Sequence, residues 1–399
     1  MSTSPLRLLV EGDRVLIARE APTLRVVEVV IRAPETSSGP QRRIPLNLAL
    51  VLDRSGSMYG EKLHYILNAA ASLIETLGEE DHLAVVIFNH RVSVLSRCRP
   101  ATKEYRRYLI ETLGRIEAKD LTFLSEGWIK GYELLHEAHS PLRFPRILLF
   151  SDGLANIGDV HPRRLGIFAR NAARFGASTS IFGVGRNVNE ELLRRMADMG
   201  YGNFYFIEKP QDIPRFIAQE LEHMANITAR DVELALDIPN GVTVRVYGDW
   251  WFTQQDGRLR LFVGNLEAGR VQRLYLEIIT PSATEATDLN LAFRVSARDR
   301  AGGVWMTHAD LRFVYAAQSE VAAAPYNSGL LARFARYAHV HPYEKSPYHE
   351  QIIWKIPTRP MLPEKFLEYE IEVQERLGAI STRLTRDDIQ RLRSRDLEL

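Results

Sequence analysis

The chain has 399 residues, 45% of them hydrophobic, with 51 Lys plus Arg against 50 Asp plus Glu and a formal charge of +1. That length allows two or three domains with ordinary packed cores, and the charge balance gives no global attraction to nucleic acid or to an anionic membrane. A single cysteine, Cys98, excludes an intrachain disulfide framework and fits a reducing compartment.

The amino-terminal segment lacks the apolar core of a secretory signal, and no apolar run approaches the roughly 20 residues that cross a bilayer. The expected location is the cytoplasm. In residues 5–33, Leu6 to Leu9, Val15 to Ile17 and Leu24 to Ile31 alternate apolar and polar side chains, which predicts antiparallel strands with one wet face. Pro34 to Arg43, rich in Pro, Ser, Gly and Arg, reads as a linker.

From Ile44 to about Ala225 strands and helices take turns. Leu46 to Leu52 is apolar except for Asn47, as expected of a strand buried on both faces. A helix follows Ser57, with Leu63, Ile66, Leu67, Ala70, Ile74 and Leu77 on one face. Strands are predicted at His82 to Phe88, Val92 to Leu95, Arg146 to Phe150, Ser178 to Phe182 and Asn203 to Ile207. Helices are predicted at Tyr105 to Ile116, Leu124 to His136, Pro162 to Phe175, Glu190 to Met199 and Ile213 to Met224. This alternation implies an α/β fold, a doubly wound and mostly parallel sheet with right-handed crossovers.

At Ile227 the pattern changes. Val232 to Ile238, Val242 to Tyr247, Leu259 to Val263, Arg273 to Ile279, Leu289 to Ala297 and Val304 to Phe313 are strands separated by turns such as Pro239-Asn240-Gly241 and Gly302-Gly303, a spacing that suggests an antiparallel β-sandwich. The expected layout has residues 1–43 as amino-terminal strands of the sandwich and residues 44–226 as an α/β domain inserted into it. Residues 227–316 form the remaining sandwich strands, and residues 317–399 a helical region with helices at Leu330 to Ala338, Phe366 to Leu377 and Asp387 to Leu392.

Candidate chemistry gathers at the carboxyl ends of the α/β strands, where open sheets of this kind bind ligands. Asp53-Arg54-Ser55-Gly56-Ser57 follows the first buried strand, Thr122 precedes a helix, and Asp152 in Ser151-Asp152-Gly153 ends another buried strand. Singly, Ser57 reads as a helix N-cap, Asp152 as a turn residue and Thr122 as a loop threonine. Together they are hard oxygen donors of the kind that Mg2+ takes.

These residues resemble the von Willebrand factor A domain with its metal-ion-dependent adhesion site. Its signature is an Asp-x-Ser-x-Ser motif after the first strand, a lone Thr in a later loop and an Asp-Gly pair ending a central strand. The resemblance covers about residues 44–226 and implies a divalent-cation site made by Asp53, Ser55, Ser57, Thr122 and Asp152. Mg2+ is the default ion, with Mn2+ or Ca2+ as alternatives, and a partner protein's Asp or Glu carboxylate completes the shell. Asp120-Leu121 ahead of Thr122 departs from the small residues common in the family. The layout is also similar to prokaryotic multi-domain members and to inter-α-trypsin inhibitor heavy chains. By analogy with bacterial members, an AAA+ ATPase of the MoxR type is a candidate partner.

An enzyme reading competes with this one. A strand-end aspartate with Mg2+ also describes haloacid dehalogenase-type phosphotransferases, but their second aspartate, two positions on, is here Ser55, and a hydroxyl cannot replace it as proton donor. A purely structural metal is a further alternative. Weaker motifs point to ordinary structure: His136-Glu137-Ala138-His139 lacks the zinc-binding spacing and Gly183-x-Gly185 lacks the third glycine of a dinucleotide loop. His339, His341, His349 and Glu350 read as solvated, and Trp250-Trp251-Phe252 as sandwich core.

Overall fold

The computed structural model describes residues 5–35, 44–119, 121–140, 142–155, 158–248, 250–283 and 288–340. All of them lie in the first of two compact units, Met1–Glu344. The expected helices at Phe366 to Leu377 and Asp387 to Leu392, and the His341, His349 and Glu350 positions, fall outside the described residues.

The amino-terminal strands are β1 (Arg7–Gly12), β2 (Leu16–Ala18) and β3 (Thr23–Arg32). β1 pairs with β3, while β3 and β2 also pair with strands more than two hundred residues further along the chain. After the α/β segment come β10 (Ile227–Asp237), β11 (Thr243–Val246), β12 (Trp251–Gln255), β13 (Arg258–Glu267), β14 (Val271–Thr280), β15 (Leu289–Arg298) and β16 (Val304–Ala316). One sheet runs β1-β3-β14-β11 and the other β12-β13-β10-β15-β16-β2. Val27, Val29 and Ile31 of the first share one core with Leu234, Leu236 and Phe293 of the second. Alternating side chains enter that core, as in any sheet that buries one face.

Between β3 and β10 lies a separate six-stranded sheet, ordered β6-β5-β4-β7-β8-β9. Its strands are β4 (Leu46–Asp53), β5 (His82–Phe88), β6 (Val92–Pro100), β7 (Phe144–Ser151), β8 (Ser178–Val184) and β9 (Phe204–Ile207). All pairs are parallel except β5 with β6. Every residue of β4 and of β7 is buried, because helices cover both faces: α1 (Glu61–Thr76), α2 (Lys103–Leu113), α3 (Leu124–Glu137), α4 (Pro162–Arg174), α5 (Glu190–Met199) and α6 (Ile213–Asn226). The fold is therefore a doubly wound α/β sheet accompanied by sheets that are antiparallel except where β2, expected to be antiparallel, runs parallel to β16.

A polar cluster ties α6 to this sheet. Arg146 near the start of β7 donates to Glu220 at 2.9 Å, and Glu220, fully buried, also accepts from Ser180, Asn203 and Tyr205, each at 2.8 Å. Burial pushes the Glu220 carboxyl up, but Arg146 and these donors outweigh it and leave it below its usual range. Charges so placed persist only when every partner is supplied.

Pro34, just past β3, and Asn226, the last residue of α6, meet a single turn between β13 and β14. Gly269 donates its backbone N–H to Pro34 at 2.9 Å, and Ala268 donates to Asn226 at 2.8 Å. The Arg174 guanidinium lies 3.8 Å from the ring centroid of Trp251, and Tyr201 donates to the Phe262 carbonyl at 3.0 Å. The aromatic run at Trp250 to Phe252 thus serves packing: Trp250 and Phe252 border the sandwich core. Beyond β16 lie α7 (Gln318–Ala323), which the sequence reading missed, and α8 (Ser328–Val340). Arg333 of α8 donates to the buried Glu28 of β3 at 2.9 Å.

Candidate metal site

Chain order places β5 on one side of β4 and β7 on the other, so the switch point of the sheet lies where β4 and β7 separate. Asp53 is the last residue of β4 and Asp152 follows the last of β7. Both side chains have no solvent exposure.

The Asp53 carboxylate is held from both sides. Oδ1 accepts the Ser55 backbone N–H at 2.8 Å and Oδ2 accepts the Ser151 hydroxyl at 2.6 Å. Ser151 Oγ in turn accepts the Gly153 N–H at 2.9 Å. Burial pushes the Asp53 carboxyl up to about 6 despite these donors, and the neighbouring charge of Asp152 pushes the same way. Hydrogen bonds orient this carboxylate; they do not neutralise it.

Asp152 is fixed differently. Its Oδ1 accepts the Leu154 N–H at 3.2 Å, its carbonyl accepts the Asn189 N–H at 2.9 Å, and its Oδ2 meets the Lys62 ammonium of α1 at 3.1 Å. Ser55 is buried and Ser57 exposed, with their hydroxyl oxygens 3.1 Å apart. Neither hydroxyl caps a helix: the 3-10 turn Gly56–Met58 has no side-chain cap and α1 begins at Glu61 with Gly60 in the capping position. The ordinary role for a serine here is therefore unused.

Thr122 is buried in the loop that leads into α3. Lys119 donates its backbone N–H to the Arg54 carbonyl at 2.8 Å and Phe123 donates to the Asn89 carbonyl at 2.8 Å, while the Asn89 side chain donates to the Lys119 carbonyl at 3.0 Å. These bonds tie the Thr122 loop to the residue after Asp53 and to the end of β5.

The sequence reading missed Ser151, Lys62 and Asn89. Ser151 stood beside Asp152 in the motif, which was the available signal; Lys62, alone on a helix, had none. The donor set fits a hard divalent cation, since two buried carboxylates supply the charge and hydroxyls the remaining oxygens. Among the described residues, no cluster of three or more His, Cys, Asp and Glu is placed for a metal. His136, at the end of α3, stacks on Tyr132.

Residues 47–219 match the von Willebrand factor type A domain family. An uncharacterized protein of Synechocystis sp. is 28% identical over 230 residues, covering 58% of this chain and 53% of that protein. Human inter-alpha-trypsin inhibitor heavy chain H3 is 28% identical over 200 residues, covering 48% of this chain and 22% of that one. The chain thus spans about half, or less, of the length of these curated relatives. A solved von Willebrand factor type A protein from Catenulispora acidiphila superposes with a TM-score of 0.64 at 17% identity, covering 84% of this chain and 78% of that one. The ArnB paralog VWA2 from Sulfolobus acidocaldarius gives 0.57 at 17% identity, covering 84% and 82%. The fold is shared with both. The α/β segment of this chain is a von Willebrand factor type A domain.

Proposed function

We propose that Asp53, Ser55, Ser57, Thr122 and Asp152 hold one divalent cation, Mg2+ by default with Mn2+ or Ca2+ as substitutes, and that a protein partner binds there through an Asp or Glu carboxylate. The observation that carries this reading is a pair of fully buried carboxylates at the switch point of the sheet, with Asp53 oriented by Ser151 and Ser55 yet facing no cation among its hydrogen-bond partners. When bound, the ion would neutralise most of the carboxylate charge and offer an electrophilic position to an anionic oxygen. Ser151 keeps Asp53 in place, Asn189 and the Leu154 amide keep Asp152 in place, and exposed Ser57 stands at the mouth.

In this reading residues 44–226 are the binding domain, carried on a sandwich made from residues 1–43 and 227–316, with residues 317–399 as a helical extension. Its setting is the cytoplasm and its role is adhesion or adaptation, not catalysis. Phosphotransfer is disfavoured because Ser55 occupies the position that an acid would need. Family analogy points to an AAA+ ATPase of the MoxR type as partner. The immobilised chain should retain its partner in Mg2+ and release it in EDTA, and Asp53→Asn should retain none. A partner held equally in EDTA would refute the metal-dependent mode.

A further inference from the structure

Lys62 is a charged side chain at the site that the five-oxygen reading leaves without a task. It lies in the first turn of α1, its side chain is 23% exposed, and its ammonium stands 3.1 Å from an Asp152 oxygen that has no exposure at all. A second observation places the end of this side chain against the loop after β8. Gly185 follows β8 with φ +111, and a Cβ there would lie 2.5 Å from Lys62 Cε and 2.8 Å from Nζ. The positive φ itself favours glycine there, and the absent side chain leaves open the space that the end of the Lys62 side chain occupies.

The two carboxylates are therefore treated unequally: Asp53 is met by neutral donors, Asp152 by a tethered cation. We propose that Lys62 is an internal competitor for the divalent ion. Its ammonium neutralises Asp152 while the site is metal-free, and an arriving ion must displace it from that oxygen. Cation affinity is then set by the difference between two cations on one carboxylate, and metal-free protein is spared a buried, unpaired charge. This inference rests on the metal-site reading above.

The test titrates Mn2+ into the full chain by calorimetry and follows the melting temperature of metal-free protein for wild type and Lys62→Met. The expected result is Mn2+ affinity at least about fivefold higher in Lys62→Met, together with a metal-free melting temperature lower by about 3 °C or more. Opposite signs in the two readouts separate the proposal from simpler ones. A lysine that only holds the site in shape would lower the melting temperature and leave Mn2+ affinity equal or weaker. A bystander charge would raise affinity without lowering the melting temperature. Either outcome overturns the proposal. Lys62→Gln, which keeps a hydrogen-bond donor for Asp152, should show the same signs at smaller amplitude and carries the test if the Met variant does not fold. If wild type itself binds no Mn2+, the metal-site reading fails and this inference with it; if wild type binds and Lys62→Met binds no more tightly, only the role of Lys62 fails.

Discussion

Ser151 donates its hydroxyl to Asp53 Oδ2 at 2.6 Å, joining the carboxyl ends of the two central strands. Ser151 Oγ also accepts the Gly153 N–H at 2.9 Å, so one hydroxyl orients Asp53 and supports the turn that presents Asp152. The two halves of the candidate site are mechanically linked through it.

Ser151→Ala should therefore act on both strands. It removes a donor from a buried carboxylate and leaves the Gly153 amide without its acceptor, an expected loss of about 1–3 kcal/mol. Denaturant unfolding of metal-free protein at neutral pH measures it. A loss no larger than that of an exposed Ser→Ala change would contradict the linkage.

Removing the Glu220 carboxylate strands Arg146 in the interior. Glu220→Ala should cost about 3–5 kcal/mol, whereas Glu137→Ala, which breaks the exposed pair with Arg97, should cost under about 1 kcal/mol. Unfolding curves of the two variants make the comparison. Equal costs would show that the cluster does not hold α6 to the sheet.

The contact of α8 with the sandwich carries a pH dependence of known sign. Burial pushes the Glu28 carboxyl up, but hydrogen bonds from Arg333 and Tyr275 outweigh it and leave it below its usual range. A carboxyl lowered on folding contributes stability that is present above its unfolded value, about 4.3, and lost as pH falls through the folded one. Amide protection in α8 should hold at pH 6 and drop in acid below the usual carboxylate range. Glu28→Gln should remove that step; its persistence would place the titrating group elsewhere.

Because Pro34 and Asn226 meet one turn of the sandwich, joining residue 43 to residue 227 by a short linker should give a folded β protein. A β-type circular dichroism spectrum with a cooperative melt is the expected outcome. Removal uncovers Trp251 and Phe262, so solubility should improve when both are made polar. An unfolded product in both versions would show that the sandwich depends on its insertion.

Much of this was legible in the residues. Leu46 to Leu52 could be placed in a doubly covered sheet because its run is apolar on both faces, and β5 and α5 fall where their periodicities put them. β12 was missed because Trp251-Phe252-Thr253-Gln254-Gln255 has no alternation; its partner β13 holds it. α7 was missed because six residues are too few to show a helical period. At the site, the oxygen donors carried a spacing that could be read. Lys62 could not be found that way, since its role comes from Asp152 and Gly185, about ninety and more than one hundred residues distant, meeting it in space.

The central claim is that Asp53 is a ligand to a divalent cation rather than a structural carboxylate, and Asp53→Asn tests it most directly. A carboxyl raised on folding to about 6 costs stability once ionised, so at neutral pH the neutral amide should leave the metal-free protein no less stable. Titration calorimetry with Mn2+ should find one ion per wild-type chain and none in Asp53→Asn, with the variant's melting temperature at or above that of metal-free wild type. Stoichiometric binding retained by Asp53→Asn, or no binding by wild type, would contradict the account.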